Sequence, residues 1–288
     1  MTEHQFQQTL ARPASVSGRG FWSGLDVTVT FCPAAADQGI TFARTDLPGS
    51  PTIGANVHAR VEIPRRTCLA SESAQVHMVE HIMAALAGLG VDQCRVEIDG
   101  QEIPGCDGSS QSFVDAIDEA GIVALQATRT VRRVSDIVRV ADSRSWVEAR
   151  PAQGESLRLT YDLSYDEGPI GKQSLTYQHS PQTFRRELAP ARTFVLESEA
   201  AWLQSQGLGI GVTTSDLLVF GDEGLIDNQL RFDDECVRHK TLDLLGDLAL
   251  SGCDWIGEIV SHRSGHRLNA ELVKKLLDID QPELRRTG

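Results

Sequence analysis

No apolar run in this chain approaches the roughly 18 residues that a membrane-spanning helix needs, so nothing in the sequence argues for a transmembrane segment. No two of its six cysteines (Cys32, Cys68, Cys94, Cys106, Cys236, Cys253) form a CxxC pair. The opening MTEHQFQQTL also lacks a basic-then-apolar leader, and the expected setting is a reducing cytoplasm. Positive charge is scarce as well, with Lys+Arg 27 against Asp+Glu 40 and a net charge of −13. A general nucleic-acid binder needs a basic face to displace counterions, so that class is set aside. An anionic small molecule held by a few local Arg or Lys residues is not excluded. What remains is a soluble globular chain, 41% hydrophobic and 23% charged, whose 288 residues suffice for two ordinary domains or one large one.

The order of elements repeats. Residues 9–31 read as strands around glycine turns, GITFARTDLPGSP as another strand, and 56–67 as a polar, Arg-rich inserted ribbon or loop. Ser71 or Ser73 can cap a helix running through AQVHMVEHIMAALA to Gly88 or Gly90; a strand VDQCRVEIDG and a helix SFVDAIDEAGI, capped by Ser109 or Ser110, follow. Past a polar, basic stretch at 127–133 strands come first again and helices later. Helices are expected near residues 182–188, 198–205 and 235–252, then a strand at 255–260 and a last helix LNAELVKKLLDI. The expected fold is therefore α+β in two similar layered halves, 1–127 and 128–288. In 197–219 a short helix runs into a Gly-rich apolar strand; Leu203, Leu208 and Ile210 either wall a groove for an apolar ligand or are ordinary core.

Chemistry concentrates in RFDDECVRHKTLDLLGDLALSG. At helical period His239, Asp243 and Asp247 fall at i, i+4 and i+8, on one line beside an apolar stripe. Such a pair of ligand types can grip a divalent ion, or can be a plain surface ion pair. Gly246 inside this helix costs roughly 1 kcal/mol relative to Ala, which points to a close neighbour. Metal-assisted amide hydrolysis needs three protein ligands, a carboxylate that takes a proton from water, and an acid for the departing amine. Candidates exist for each: His81, His239 and Asp243 as ligands, Glu80 as base, and His266, oriented by Asp247, as acid. Each has an ordinary alternative, namely a packed or solvated histidine, a surface glutamate, or a turn residue beside Gly265. His77-Met-Val-Glu80-His81 also spells H-x-x-E-H, the inverted zinc-protease pattern, which would make His77 a ligand and leave His239 and Asp243 unexplained.

Five motifs in order, VEHIMAALAGLGVD, EIPGCDGSSQSF, ARTF, RHKTLDLLGDLALSG and SGHRLN, closely resemble the UDP-3-O-acyl-N-acetylglucosamine deacetylase family, the zinc enzymes of lipid A biosynthesis. The resemblance spans nearly the whole chain. It implies two α+β domains, each a sheet with paired helices, with the site between the helix layers. It implies a zinc ion on His81, His239 and Asp243, with Glu80 as general base and Asp247 supporting the general acid His266. It further implies that Thr193 bonds the tetrahedral oxyanion, Phe194 lines the site, Lys240 faces the substrate, and an insert at about 195–220, with Leu203 and Ile210, forms an acyl-chain passage. Trp22 stands where the family usually has His, Arg150 and Arg263 where it has Lys, and His77 where it has a small polar residue. These departures bear on the sugar nucleotide rather than on the zinc set. They leave as alternatives a deacetylase of a different N-acyl amino sugar, or a zinc protein that binds acylated sugar nucleotides without turnover. Iron or cobalt could use the same ligands. The expected partner is a small molecule, with neither nucleic acid nor membrane insertion, and the expected state a monomer.

Overall fold

The computed structural model describes residues 5–279 and the two-residue strand Glu283–Leu284; residues 1–4, part of the stretch read for a leader, lie outside the described residues. Among the described residues the α-helices are α1 (Glu80–Leu89), α2 (Gln111–Ala120), the three-residue α3 (Pro181–Thr183), α4 (Glu197–Ser205), α5 (Glu235–Ala249) and α6 (His266–Asp278).

Alternation builds the strands. In Asp26–Pro33 the side chains of Val27, Val29 and Phe31 are buried while Thr28 and Thr30 face outward. In Leu157–Ser164 it is Leu157, Leu159, Tyr161 and Leu163 that go in. The first half forms a five-stranded sheet in the order Ala14–Arg19, Asp26–Pro33, Cys94–Ile98, Ile40–Arg44, Thr52–Gly54. Cys94–Ile98 runs antiparallel to Asp26–Pro33 and parallel to Ile40–Arg44. The second half repeats this arrangement with Val138–Ala141, Trp146–Arg150, Asp254–His262, Leu157–Ser164 and Lys172–Gln178. Its late strand Asp254–His262 is again antiparallel to one neighbour and parallel to the other. In each half the first four strands of this sheet precede a helix (α1 or α5), then the late strand, then a second helix (α2 or α6). The expected duplication of α+β layers is thus present in the topology. The division expected at 127/128 falls one residue inside the strand Ile122–Thr128, which pairs with Phe6–Leu10, whereas Val131–Arg133 already pairs with Asp254–His262.

The helices form the middle of the sandwich. α1 and α5 pack on each other, α5 on α6 and on the strand Leu157–Ser164, and α2 on α1 and on Ala14–Arg19. Gly246 explains how closely α1 and α5 approach: a Cβ there would stand 2.1 Å from the Glu80 carbonyl oxygen and 3.2 Å from the Ala84 nitrogen. Each half also carries a three-stranded insert. The first is the ribbon Arg60–Val61, Cys68–Ala70, Gln75–His77; the second joins Phe194–Leu196, Leu218–Gly221 and Gly224–Leu225 around α4.

Three expectations are corrected. The helix expected from Ala74 begins only at Glu80: Gln75–His77 pairs as a strand with Cys68–Ala70, and Met78, at φ 61, takes a left-handed turn no helix accommodates. The Gly-rich stretch after α4 is a turn, not a strand, with Gly207, Gly209 and Gly211 all at positive φ. His266 is the first residue of α6 after the N-cap Gly265, not a loop residue.

Candidate metal centre and active site

His81 sits in the first turn of α1, and His239 and Asp243 lie one turn apart on α5. The close approach at Gly246 brings the two helices' side chains together. His81 Nε2 lies 3.7 Å, and His239 Nε2 3.4 Å, from Asp243 Oδ1. The two rings are perpendicular, at 87°, with centroids 4.9 Å apart. One ligand atom from each residue falls within 4.8 Å of the others. Exposures of 4%, 1% and 4% for His81, His239 and Asp243 exclude a surface ion pair.

Hydrogen bonding shows what these atoms are free to do. His239 Nδ1 is 3.1 Å from the Ala191 carbonyl, which can only accept, so the proton sits on Nδ1 and Nε2 keeps its lone pair. Lys240 Nζ donates to Asp243 Oδ2 at 2.6 Å, whereas Oδ1 is buried without a hydrogen-bond partner. An unsatisfied buried carboxylate oxygen facing two imidazole nitrogens costs on the order of 1–3 kcal/mol unless something positive sits among them. The titration behaviour agrees. Burial, with help from the His239 charge, pushes His81 down to about 3. Burial likewise lowers His239. For Asp243 burial works upward, but the charges of Lys240 and the imidazoles outweigh it and hold the carboxyl well below the usual carboxylate range. At neutral pH the trio is two neutral imidazoles and one carboxylate, a donor set that suits a divalent cation.

Beside this trio stands a carboxylate–imidazole pair. His266 Nε2 lies 3.9 Å from Glu80 Oε1, and His266 Nδ1 is 2.8 Å from Asp247 Oδ2. Burial depresses His266, yet the charge and hydrogen bond of Asp247, with Glu80 behind them, raise it to about 9. Burial raises Glu80 to about 7, opposed by the charge of His266. Asn269 Nδ2 also donates to Asp247 Oδ2, at 2.8 Å, and the Thr67 hydroxyl donates to Oδ1 at 2.6 Å. The Thr67 amide donates to Glu80 Oε2 at 2.9 Å.

These groups open on a cleft of about 890 Å³ whose walls include Thr193, Phe194, Leu203, Lys240 and Arg263. Phe194 meets Tyr165 and Phe220 edge-on. Lys240 borders the cleft, although its ammonium is tied to Asp243. Arg263, at φ 54, reaches Asp166 at 3.4 Å. Trp22 is on the wall too, with the Arg66 guanidinium 4.2 Å above its ring. Two residues expected at the substrate are elsewhere. Arg150 stands off the cleft in an ion pair with Glu148 at 2.5 Å. Ile210 is 65% exposed because the turn of glycines directs it outward, while Leu208 and Val212 line the wall instead. His77 bonds Gln75 and Gln101 in its ribbon and stays out of the ligand trio, so the protease pattern, which needs it on the helix of His81, does not hold.

Sequence reading missed a second tier. Arg192 and Glu235 form a buried pair: Glu235 Oε1 accepts from the Arg192 amide at 3.0 Å and from Nε at 2.8 Å. Glu235 lies one turn before His239, and Arg192 follows the carbonyl that fixes the His239 ring, so the pair sets that ring's height. Arg192 stood inside the motif ARTF and Asn269 inside SGHRLN, and Glu235 falls one helical turn before His239; Thr67 gave no signal.

A family model described as LpxC: UDP-3-O-acyl N-acetylglycosamine deacetylase matches residues 7–278. The chain is also 41% identical over 274 residues to the UDP-3-O-acyl-N-acetylglucosamine deacetylase of Brucella melitensis biotype 2 (strain ATCC 23457), covering 94% of this chain and 95% of that protein. Identity and coverage are the same for the protein of that name from Brucella abortus (strain 2308).

Proposed function

This chain belongs to the LpxC family of UDP-3-O-acyl N-acetylglycosamine deacetylases, which act in lipid A biosynthesis, and from that premise we infer how its own residues carry the hydrolysis. The substrate is UDP-3-O-acyl-N-acetylglucosamine, from whose acetamide the enzyme removes acetate. The metal site is read as His81 Nε2, His239 Nε2 and Asp243 Oδ1; the buried Oδ1 with no donor of its own is the single observation that carries this reading. A bound zinc ion would supply Lewis acidity there, acidifying a water and polarising the amide carbonyl.

Glu80 Oε1 takes the proton of the attacking water, its Oε2 being held by the Thr67 amide. His266, its Nδ1–H committed to Asp247, presents a proton on Nε2 to the departing amine. A single acid facing a single base across 3.9 Å has no use in a protein that only binds, which speaks against the non-catalytic alternative. The Thr193 hydroxyl is read as the donor to the developing oxyanion, and Phe194 and Leu203 as apolar contacts. Arg263 is read as a contact for the charged nucleotide portion. Arg150 is no longer a candidate for that role, and with it goes one of the four departures that suggested a different amino sugar. Cys32, Cys68, Cys94, Cys106 and Cys236 are free thiols, which supports a reducing cytoplasm as the setting. The two sides of the centre come from the halves that meet near residues 129–130, and the chain is read as a two-domain monomer.

The test is metal analysis together with acetate release from the acylated UDP-sugar. Wild type should carry one zinc per chain and release acetate. Glu80→Ala and His266→Ala should keep the zinc and lose turnover by a factor on the order of 100 to 10,000. Normal turnover in either variant sinks the role assignments; loss of zinc-binding only from His77→Ala would sink the ligand set.

A further inference from the structure

We propose that Thr67 is the positioning residue that locks the acid and the base of this active site to one another across the two halves of the molecule. The proposal rests on the acid–base reading above and goes beyond it, because it concerns a residue that touches neither reacting atom.

Glu80 belongs to α1 in the first half; Asp247 and His266 belong to α5 and α6 in the second. Each is secured within its own half. Asp247 Oδ2 takes hydrogen bonds from His266 and Asn269, and Asn269 is itself fixed by the Ser264 hydroxyl at 2.7 Å, which meets Ser261 Oγ at 2.7 Å. None of those contacts tells the His266 ring where Glu80 is. Thr67 does. Its hydroxyl donates to Asp247 Oδ1, 180 residues away in sequence, at 2.6 Å; its amide donates to Glu80 Oε2 at 2.9 Å; its carbonyl accepts from the Val79 amide at 3.1 Å, just ahead of α1. Every polar group of a fully buried residue is thereby spent on the two carboxylates and on the helix start between them.

The consequence is geometric. Bound at both oxygens, the Asp247 carboxylate cannot rotate about its Cβ–Cγ bond, so the His266 ring is held in plane. With Oε2 of Glu80 anchored to the same residue, Oε1 is the oxygen left for water, at 3.9 Å from His266 Nε2. Misplacement of reacting groups by about 1 Å can cost 100-fold in rate, so the loss of one anchor should be visible in turnover. The amide anchor survives any substitution other than proline, so the hydroxyl is the testable part.

The experiment compares Thr67→Val, which keeps the β-branched shape, with Thr67→Ser, which keeps the donor. Zinc content and steady-state acetate release from the acylated UDP-sugar are measured on both. Thr67→Val should lower kcat 10- to 100-fold with KM within threefold of wild type and one zinc per chain, and Thr67→Ser should restore at least a third of the wild-type kcat. In an Asp247→Ala background Thr67→Val should cost less than a further twofold, since the hydroxyl then has nothing to hold. Wild-type kcat in Thr67→Val, or a full 10-fold further loss in the Asp247→Ala background, overturns the proposal. Should Thr67→Val fail to fold, Thr67→Cys, a weaker donor of similar size, must show a kcat loss of at least threefold, and wild-type kcat there overturns it equally. Glu80→Ala and His266→Ala run alongside keep the two failures apart: if they are inactive while Thr67→Val is fully active, only the role of Thr67 falls; if they turn over normally, the acid–base reading falls first.

Discussion

The buried centre and the insert around α4 use helices in opposite ways. On α5, twelve of fifteen residues are buried, and the ionisable ones among them (Glu235, His239, Asp243, Asp247) all have partners aimed at them. On α4 none of the nine residues is buried, Trp202 is 57% exposed, and a cross-molecule tie is the ion pair of Glu199 with Arg65 at 3.0 Å. An exposed pair of that kind contributes at most about 1 kcal/mol. The centre is thus fixed by desolvated polar bonds that fail together when one is removed, whereas the insert offers a wall that side chains can leave one at a time. Position errors should be costly in the first region and tolerated in the second.

Gly246→Ala should show the largest effect. The added methyl has nowhere to go against the Glu80 backbone oxygen, so α1 and α5 must separate. Melting temperature should fall by several degrees and turnover by 100-fold or more, even though no ligand is altered. An unchanged melting curve with wild-type turnover would mean that the centre tolerates movement after all.

An effect of middle size tests the electrostatics of the same centre. In the proposed mechanism Glu80, raised to about 7, must be ionised to accept a proton, and His266, raised to about 9, must hold one. Turnover should therefore climb as pH rises through about 7 and decline through about 9, the two limbs belonging to the coupled pair rather than to either residue. Replacing Asp247 by Asn removes the largest influence that raises His266, so the descending limb should move to lower pH. A descending limb that stays in place would detach it from His266.

The smallest effects belong to the insert. Leu203→Ala removes a cleft wall and should raise KM several-fold for a long acyl chain with kcat nearly unchanged. Ile210→Ala, at an exposed position, should alter neither by as much as twofold. Equal effects at the two positions would show that the turn rearranges when substrate binds, and the contrast between the two regions would soften.

Much of the candidate site's geometry was legible because helical spacing is a local property. His239, Asp243 and Asp247 had to share a line once that stretch was helical, and the cost of Gly246 already implied a close neighbour. The errors came where a single backbone angle interrupts a period. Met78 ends the apparent helix of His77 and turns a protease-like pattern into a strand and a separate helix. Three positive-φ glycines likewise reverse Ile210. Arg150 looked like a substrate contact by correspondence alone, and the Glu148 carboxylate beside it claims its charge.

The chain's own order of residues determined its α+β class, the duplicated succession of strands and helices, and the line of three ionisable groups on α5, since each follows from periods of two or 3.6 residues. Only the tertiary structure decided that His81 meets that line, that Asp243 keeps one oxygen bare, and that Thr67 reaches two carboxylates at once. Those contacts join residues up to 180 positions apart, and no local period carries information over that distance; it is fixed by how closely two helices can pack when one of them has a glycine at the crossing.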